Sequence, residues 1–262
     1  MRKSPDGTMP VIELETIKSS CASCALADLC LPASIGKPGL ERLDQLIQKR
    51  KPVPRGEILY AAGSTHVSLY VVRAGSFKTY VDMPDGEGQI LGFHFPGELL
   101  GLDALPSDMH RCHAQALERS SVCEVPFQDI IRLAAQIPEL QQQLYKVVSE
   151  EFIREHSHVV MMGRQAASSR LALFLHGLSE RRSLLQLDPL EITLSMSRQD
   201  MANYLGLVIE TISRLLSRFQ DMGVIEVDRR LIRIRDAHAL KALARNEAPL
   251  PSRGVARVVR PG

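Results

Sequence analysis

The residues most open to chemistry in this 262-residue chain are its five cysteines: Cys21, Cys24, Cys30, Cys112 and Cys123. Three fall within ten residues, as Cys21-x2-Cys24-x5-Cys30. Thiolates this close suit a soft metal centre, and both zinc and iron–sulfur clusters use four-thiolate sets. A fourth ligand must then come from Cys112 or Cys123. Spacing alone does not choose between these two, nor between zinc and a cluster. His110 and His113, beside Cys112, read as surface imidazoles.

A second stretch could do a different kind of chemistry. It runs Ser197-Arg198-Gln199-Asp200-Met201-Ala202-Asn203-Tyr204-Leu205-Gly206 and on through Glu210, Ser213 and Arg214 to Leu216. Ser197 with Asp200 has capping-box spacing, with Asp in place of the usual Glu or Gln. Ala202 is small where two helices cross, Gly206 suits a tight turn, and Ile212 falls on the inner face of a second helix. These offsets predict a helix-turn-helix. Glu210, Ser213 and Arg214 then share an exposed face. Arg can donate two hydrogen bonds to guanine O6 and N7, Glu can accept from cytosine N4, and Ser suits several bases. Arg218, one turn further on, is placed for a phosphate. Val224–Val227 and Leu231–Ile234, joined by Asp228-Arg229-Arg230, read as a wing.

Charge follows this division. Residues 1–164 hold 17 Lys+Arg against 20 Asp+Glu, and residues 165–262 hold 15 against 10. The basic end is the natural face for a polyanion. No apolar run approaches the ~18–20 residues of a membrane span, and Met1-Arg2-Lys3-Ser4-Pro5 leads into no export-signal core. The cytoplasm is the expected location. No paired acid and base, phosphate loop or nucleotide fingerprint points to an enzyme.

The elements that must position these residues divide the chain into segments. Residues 1–36 form a cysteine-bearing arm. Residues 37–137 form a sensor domain whose stretch from Pro52 to Phe127 reads as short strands broken by glycines, a sandwich or barrel pattern. Residues 138–164 lack Pro and Gly from Glu139 to Met162 and read as one long helix. Gln141, Tyr145, Val148, Phe152, Glu155, Val159 and Met162 recur at alternating steps of four and three, which is coiled-coil spacing. Residues 165–245 hold the helix-turn-helix and wing, and the Pro- and Arg-bearing tail 246–262 reads as disordered.

Taken together, these residues resemble the CRP/FNR family of transcription regulators, and within it the fumarate and nitrate reductase regulators. The likeness runs from about Ser20 to Leu243. It rests on Cys21-x2-Cys24-x5-Cys30-Leu31-Pro32, Gly92-Phe93-His94 with Gly97-Glu98, Gln115-Ala116-Leu117-Glu118, Val122-Cys123-Glu124 and Glu210-Thr211-Ile212-Ser213-Arg214-Leu215. The resemblance implies an α+β fold: a β-roll of cyclic-nucleotide-binding type, a dimerisation helix and a C-terminal winged helix-turn-helix. It implies a 4Fe–4S cluster on Cys21, Cys24, Cys30 and Cys123, with Cys112 spare. It also implies an oxygen-responsive regulator that forms a homodimer when the cluster is bound. The dimer would read TTGAT-type palindromic DNA and contact RNA polymerase, with the loop Asp82–Gln89 as the candidate surface. Leu29, with Ala25 and Leu31, is expected to shield the cluster.

Two departures stand out. His113-Ala114 replaces the Arg-Ser pair of cyclic-nucleotide binders, so no such ligand is expected. Val208-Ile209 replaces a capping Thr, a loss of about 1 kcal/mol. A zinc- or thiol-based redox regulator of the same fold is the alternative.

Overall fold

The computed structural model describes residues 21–33, 35–49, 52–65 and 67–245. The start of the arm (1–20) and the tail expected to be disordered (246–262) lie outside the described residues. The elements, in order, are α1 (Lys37–Leu46), β1 (Gln48–Lys49), β2 (Ile58–Tyr60), β3 (Ser68–Ala74), β4 (Phe77–Asp82), β5 (Gly88–His94), β6 (Leu99–Leu100), β7 (His113–Ala116), β8 (Ser121–Pro126) and α2 (Phe127–Ala134). There follow α3 (Pro138–Arg164), α4 (Ala167–Leu184), β9 (Glu191–Thr193), α5 (Arg198–Leu205), α6 (Ile209–Asp221), β10 (Ile225–Asp228), β11 (Leu231–Ile234) and α7 (Ala237–Ala244).

Strands β1 to β8 make two antiparallel sheets, in the orders β1-β8-β3-β6 and β2-β7-β4-β5. Inward side chains such as Tyr70, Val72, Phe77, Leu100, Ala114 and Val122 fill the space between them. The other face of the first sheet packs Leu69, Val71 and Val125 against Leu43 of α1, Ile130 of α2 and Leu140 of α3. One turn shows why its residue is glycine. Gly75, between β3 and β4, sits at φ +77°, and a Cβ there would fall 2.7 Å from the Ser120 Cα. Only the residue without a side chain fits.

Helix α3 begins where the sequence places it. Ile137 is extended, and Pro138 occupies the first turn, where its missing N–H costs nothing. Leu140, Gln143, Val147 and Met161 are buried on one side. The C-terminal domain has its own core of Leu171, Leu175, Met201, Leu205, Ile212 and Phe219. The sheet β10-β11-β9 closes it. Three residues of the β-roll, Ile90, Phe93 and Leu117, join that same cluster, so the two domains share packing. Among the described residues no helix is long and apolar enough to cross a membrane.

Candidate functional site

The arm carries two single-turn helices, Cys21–Ser23 and Ala27–Leu29, the first of them against α1. Leu31 is buried and anchors it in the core of α1, α2 and the first sheet. The Cys21 N–H donates to Asp44 Oδ1 of α1 at 2.9 Å, and Gln143 Nε2 of α3 donates to the Cys30 carbonyl at 3.1 Å. Cys123 lies on β8, which is paired on both sides: its rung joins Lys49 of β1 and Val71 of β3. Cys30 and Cys123 pack against the same core.

All five cysteines are free thiols. Burial first, opposed by a backbone hydrogen bond from Leu31 and aided by charge on Cys123, Cys21 and Cys24, pushes Cys30 up to about 12. Cys21 is pushed up to about 12 by burial first, then by Asp44, Cys123 and Cys24. These four thiols therefore feel one another. Cys112 does not belong to the group: it is buried inside the β-roll, and burial followed by Asp103 pushes it to about 12. Among the described residues no three His, Cys, Asp or Glu side chains stand together closely enough to hold a metal ion. The four thiols are neighbours short of coordination distance. Their donor chemistry, soft sulfur that repels itself when ionised, fits a thiophilic metal centre whose positive charge would offset that repulsion.

The neighbours of the arm depart from expectation in two places. His110 is no surface imidazole. It is buried, stacked 3.8 Å from the Tyr60 ring, with Asp103 Oδ1 3.3 Å from Nδ1. A histidine stays inside because the carboxylate satisfies its polar edge. Of the expected shielding residues, Ala25 is exposed and Leu31 is part of the core. Leu29 is half-buried beside Gly97, where a Cβ would lie 3.3 Å from the Leu29 Cβ. It borders a cavity of about 620 Å³ between the arm, α3 and α4.

Next to Gly97, Glu98 joins three parts of the chain. Its Oε1 receives Arg154 Nη1 of α3 at 2.6 Å and Arg181 Nε of α4 at 2.8 Å. Its Oε2 accepts from the Phe95 N–H at 3.1 Å. Burial pushes this carboxyl up, but Arg181 and Arg154 together outweigh burial and hold it below its usual range. The arm thus touches a loop that holds both the long helix and the first helix of the C-terminal domain.

The outer face of α3 is apolar and exposed. Tyr145 is 64% exposed, Phe152 61% and Val159 67%, with Val148 alongside. Ile153 and Val160 widen the row. Glu155 is exposed beside it. Arg154, which could neutralise Glu155, is taken by Glu98 and by Glu151 at 2.7 Å. Met162 departs from the expected seam. It packs against the C-terminal core, and a Cβ on Gly206 would fall 2.3 Å from its terminal methyl. A straight helix drifts about 20° per heptad away from a 3.5-residue row, which carries the last seam position round to its own domain.

In the helix-turn-helix both halves of the capping box form: the Asp200 N–H donates to Ser197 Oγ at 3.0 Å, and the Ser197 N–H to Asp200 Oδ2 at 2.9 Å. Gly206 ends α5 at φ +60°, while Ala202 and Ile212 are buried. Val208 precedes α6 without a side-chain cap. Glu210 and Arg214 are exposed on α6, while Ser213 and Arg218 are half-buried. Arg198 was not singled out from the sequence. It is exposed, and its Nη1 lies 3.5 Å from Ser213 Oγ, beside the reading face. Its place as the first residue after a capping Ser was the available signal.

Comparison with known proteins agrees with this geometry. Residues 50–137 match a cyclic nucleotide-binding domain and residues 169–243 a Crp-like helix-turn-helix domain. The anaerobic regulatory protein of Haemophilus influenzae is 40% identical over 84% of this chain and 86% of its own. The fumarate and nitrate reduction regulatory protein of Escherichia coli K12 is 40% identical over 86% and 90%. The solved structure of FixK2 from Bradyrhizobium japonicum superimposes with a TM-score of 0.69 at 28% identity, covering 75% of this chain and 96% of that one. Relatives of this kind are regulators and not enzymes. The chain belongs to the CRP/FNR family of DNA-binding transcriptional regulators, among its fumarate and nitrate reduction regulators.

Proposed function

We propose that this regulator responds to oxygen through a 4Fe–4S cluster on Cys21, Cys24, Cys30 and Cys123, and that its cluster-bound form is a DNA-binding homodimer in the cytoplasm. The observation that carries this reading is that the arm brings Cys30 onto the core that Cys123 of β8 also borders, with Cys21 and Cys24 within electrostatic reach, while Cys112 lies apart inside the β-roll. A bound cluster would supply oxygen-labile iron–thiolate bonds between arm and strand. The protein's own side chains relay the position of the arm. Gln143 ties the Cys30 carbonyl to α3, and Leu29 sets Gly97 and hence Glu98. Arg154 and Arg181 carry that placement to α3 and α4. Absorption and iron content of protein purified without air test the reading. A visible band lost in air, with four irons per chain, is expected. A colourless protein with stoichiometric zinc would replace it with the zinc-based alternative.

No cyclic nucleotide is proposed as a ligand, since His113-Ala114 stands where such binders carry Arg-Ser. His113 faces Asp82 at 3.0 Å and stacks on Tyr80, while Glu98 is engaged by two arginines. The loop Asp82–Gln89 at the tip of β4 and β5 is the proposed contact for RNA polymerase.

On DNA, two recognition helices would meet successive major grooves of a palindrome with TTGAT-type half-sites, about 34 Å apart. Arg214 reads guanine, flanked by Glu210 and Ser213, and Arg218 meets a phosphate. Arg214→Ala should cost about 1–3 kcal/mol per half-site and relax the guanine preference. Arg218→Ala should weaken all sequences alike and flatten the salt dependence. Binding to half-site variants checks both. Equal loss on every sequence for Arg214→Ala would make it a phosphate contact.

Tyr145, Val148, Phe152 and Val159 provide the dimer's attraction, and Glu155 opposes it. In a twofold pair each Glu155 nears its own copy, and Arg154 is occupied elsewhere. Glu155→Ala should tighten dimerisation of the cluster-free protein at least about tenfold, or about 1.4 kcal/mol. Sedimentation in air measures this. A variant that stays monomeric where the parent does would show that this charge does not hold the subunits apart.

A further inference from the structure

Strand β5 is the outer strand of its sheet, so its free edge presents backbone groups with no strand to pair them. One side chain of the helix-turn-helix occupies that edge. Asn203 Oδ1 accepts from the Ile90 N–H at 2.7 Å, and Asn203 Nδ2 donates to the Gly88 carbonyl at 2.8 Å. A carboxamide is the side chain that offers an acceptor and a donor in one plane, as a peptide unit does. Asn203 therefore substitutes for a neighbouring strand.

Three further contacts surround it. Lys78 of β4 meets Asp200 at 2.7 Å, with both side chains four-fifths or more buried. Ser76 Oγ donates to Ser195 Oγ at 2.7 Å. The Phe93 ring meets the Tyr204 ring edge-on at 5.1 Å. All of these join the β4–β5 hairpin to α5 or the segment just before it. None covers Glu210, Arg214 or Arg198, which remain exposed. The contact therefore fixes where the DNA-reading face points without hiding it.

We propose that Asn203, with the Lys78–Asp200 pair, is an interdomain latch that sets the orientation of the DNA-binding domain on its sensor. Asn203 and Lys78 are positioning residues and touch no base. A dimer must offer two reading helices at one fixed separation, and domains that swing freely must be ordered again at each binding event. The latch does this ordering beforehand. It stands on the DNA-binding activity alone and is independent of which metal the cysteines hold.

The test uses the full chain prepared without air, in two variants. Asn203→Asp keeps the shape but turns the donor toward Gly88 into an acceptor. It should speed hydrogen exchange at the Ile90 amide at least about tenfold while α6 keeps its protection. Lys78 lies on the sensor and meets Asp200 Oδ1, whereas the capping box uses Oδ2, so Lys78→Ala leaves both capping-box bonds their atoms. It should weaken binding to a synthetic duplex with inverted TTGAT half-sites, and to a random-sequence duplex of equal length, each by about tenfold with an unchanged salt slope. Unchanged exchange at Ile90 overturns the latch. So does loss of protection throughout α6, which would make Asn203 a folding residue of its own domain. Undiminished DNA affinity in Lys78→Ala overturns it as well, and so does a reduced salt slope, which would make Lys78 a phosphate contact.

Discussion

Replacing Glu98 with alanine is expected to destabilise the protein by about 3 kcal/mol, because it takes the paired carboxylate from Arg181 in a partly dry site and leaves Arg154 with Glu151 alone. The side chain is 14% exposed, and Arg154 and Arg181 reach it from different helices. The figure is taken at the low end of the range for broken buried pairs, since about a third of Arg154 still meets water. Denaturant unfolding measures it. A loss below about 1 kcal/mol would show that water replaces the carboxylate at little cost. Acid should act on the same region in two stages. His94 is pushed down by burial from its ordinary 6.5 to about 4, so its share of stability is complete above 6.5 and declines as pH falls toward 4. Glu98 is held below its ordinary 4.5, so its share is complete above that value and is lost as pH falls through its lower folded pKa. Glu98→Ala should remove the second stage and, because the Glu98 charge raises His94, extend the first stage to lower pH.

The second large effect concerns the thiols. Cys30→Ser and Cys123→Ser should each abolish iron binding and the visible band, while Cys112→Ser should keep both. A hydroxyl is a hard, weakly acidic ligand where a soft thiolate is required. Cys30 and Cys123 border the core of α1, α2 and the first sheet, so circular dichroism of each variant must first show an intact fold. Iron retained in Cys123→Ser and lost in Cys112→Ser would move the fourth ligand into the β-roll, and the proposed ligand set would fail.

The sequence disclosed most where the interactions are local. The capping box spans four residues, the Gly206 turn is one residue, and Pro138 marks its own helix start. Each signal sits inside the element it specifies. Spacing left Cys112 and Cys123 equivalent, because only tertiary packing puts Cys123 of β8 against the core beside Cys30 and Cys112, just before β7, inside the β-roll. The row on α3 was legible as far as Val159. It failed at Met162, where the neighbouring domain and not the heptad decides what the side chain meets. The links between the domains were invisible. Ser76 with Ser195, Lys78 with Asp200 and Ile90 with Asn203 are each separated by more than a hundred residues, and no periodicity encodes such pairs.

The turn at Gly206 has a consequence for what the chain tolerates. Its φ of +60° already disfavours any side chain, and the space a Cβ would take is filled by the end of Met162. Arg170 closes the same spot, donating from Nη1 to the Leu205 carbonyl at 3.0 Å. A residue in the turn of the reading motif is therefore also the seat for the last turn of the long helix. Even the smallest replacement, alanine, would strain the turn through its φ, and the flexible end of Met162 would have to swing out of its seat.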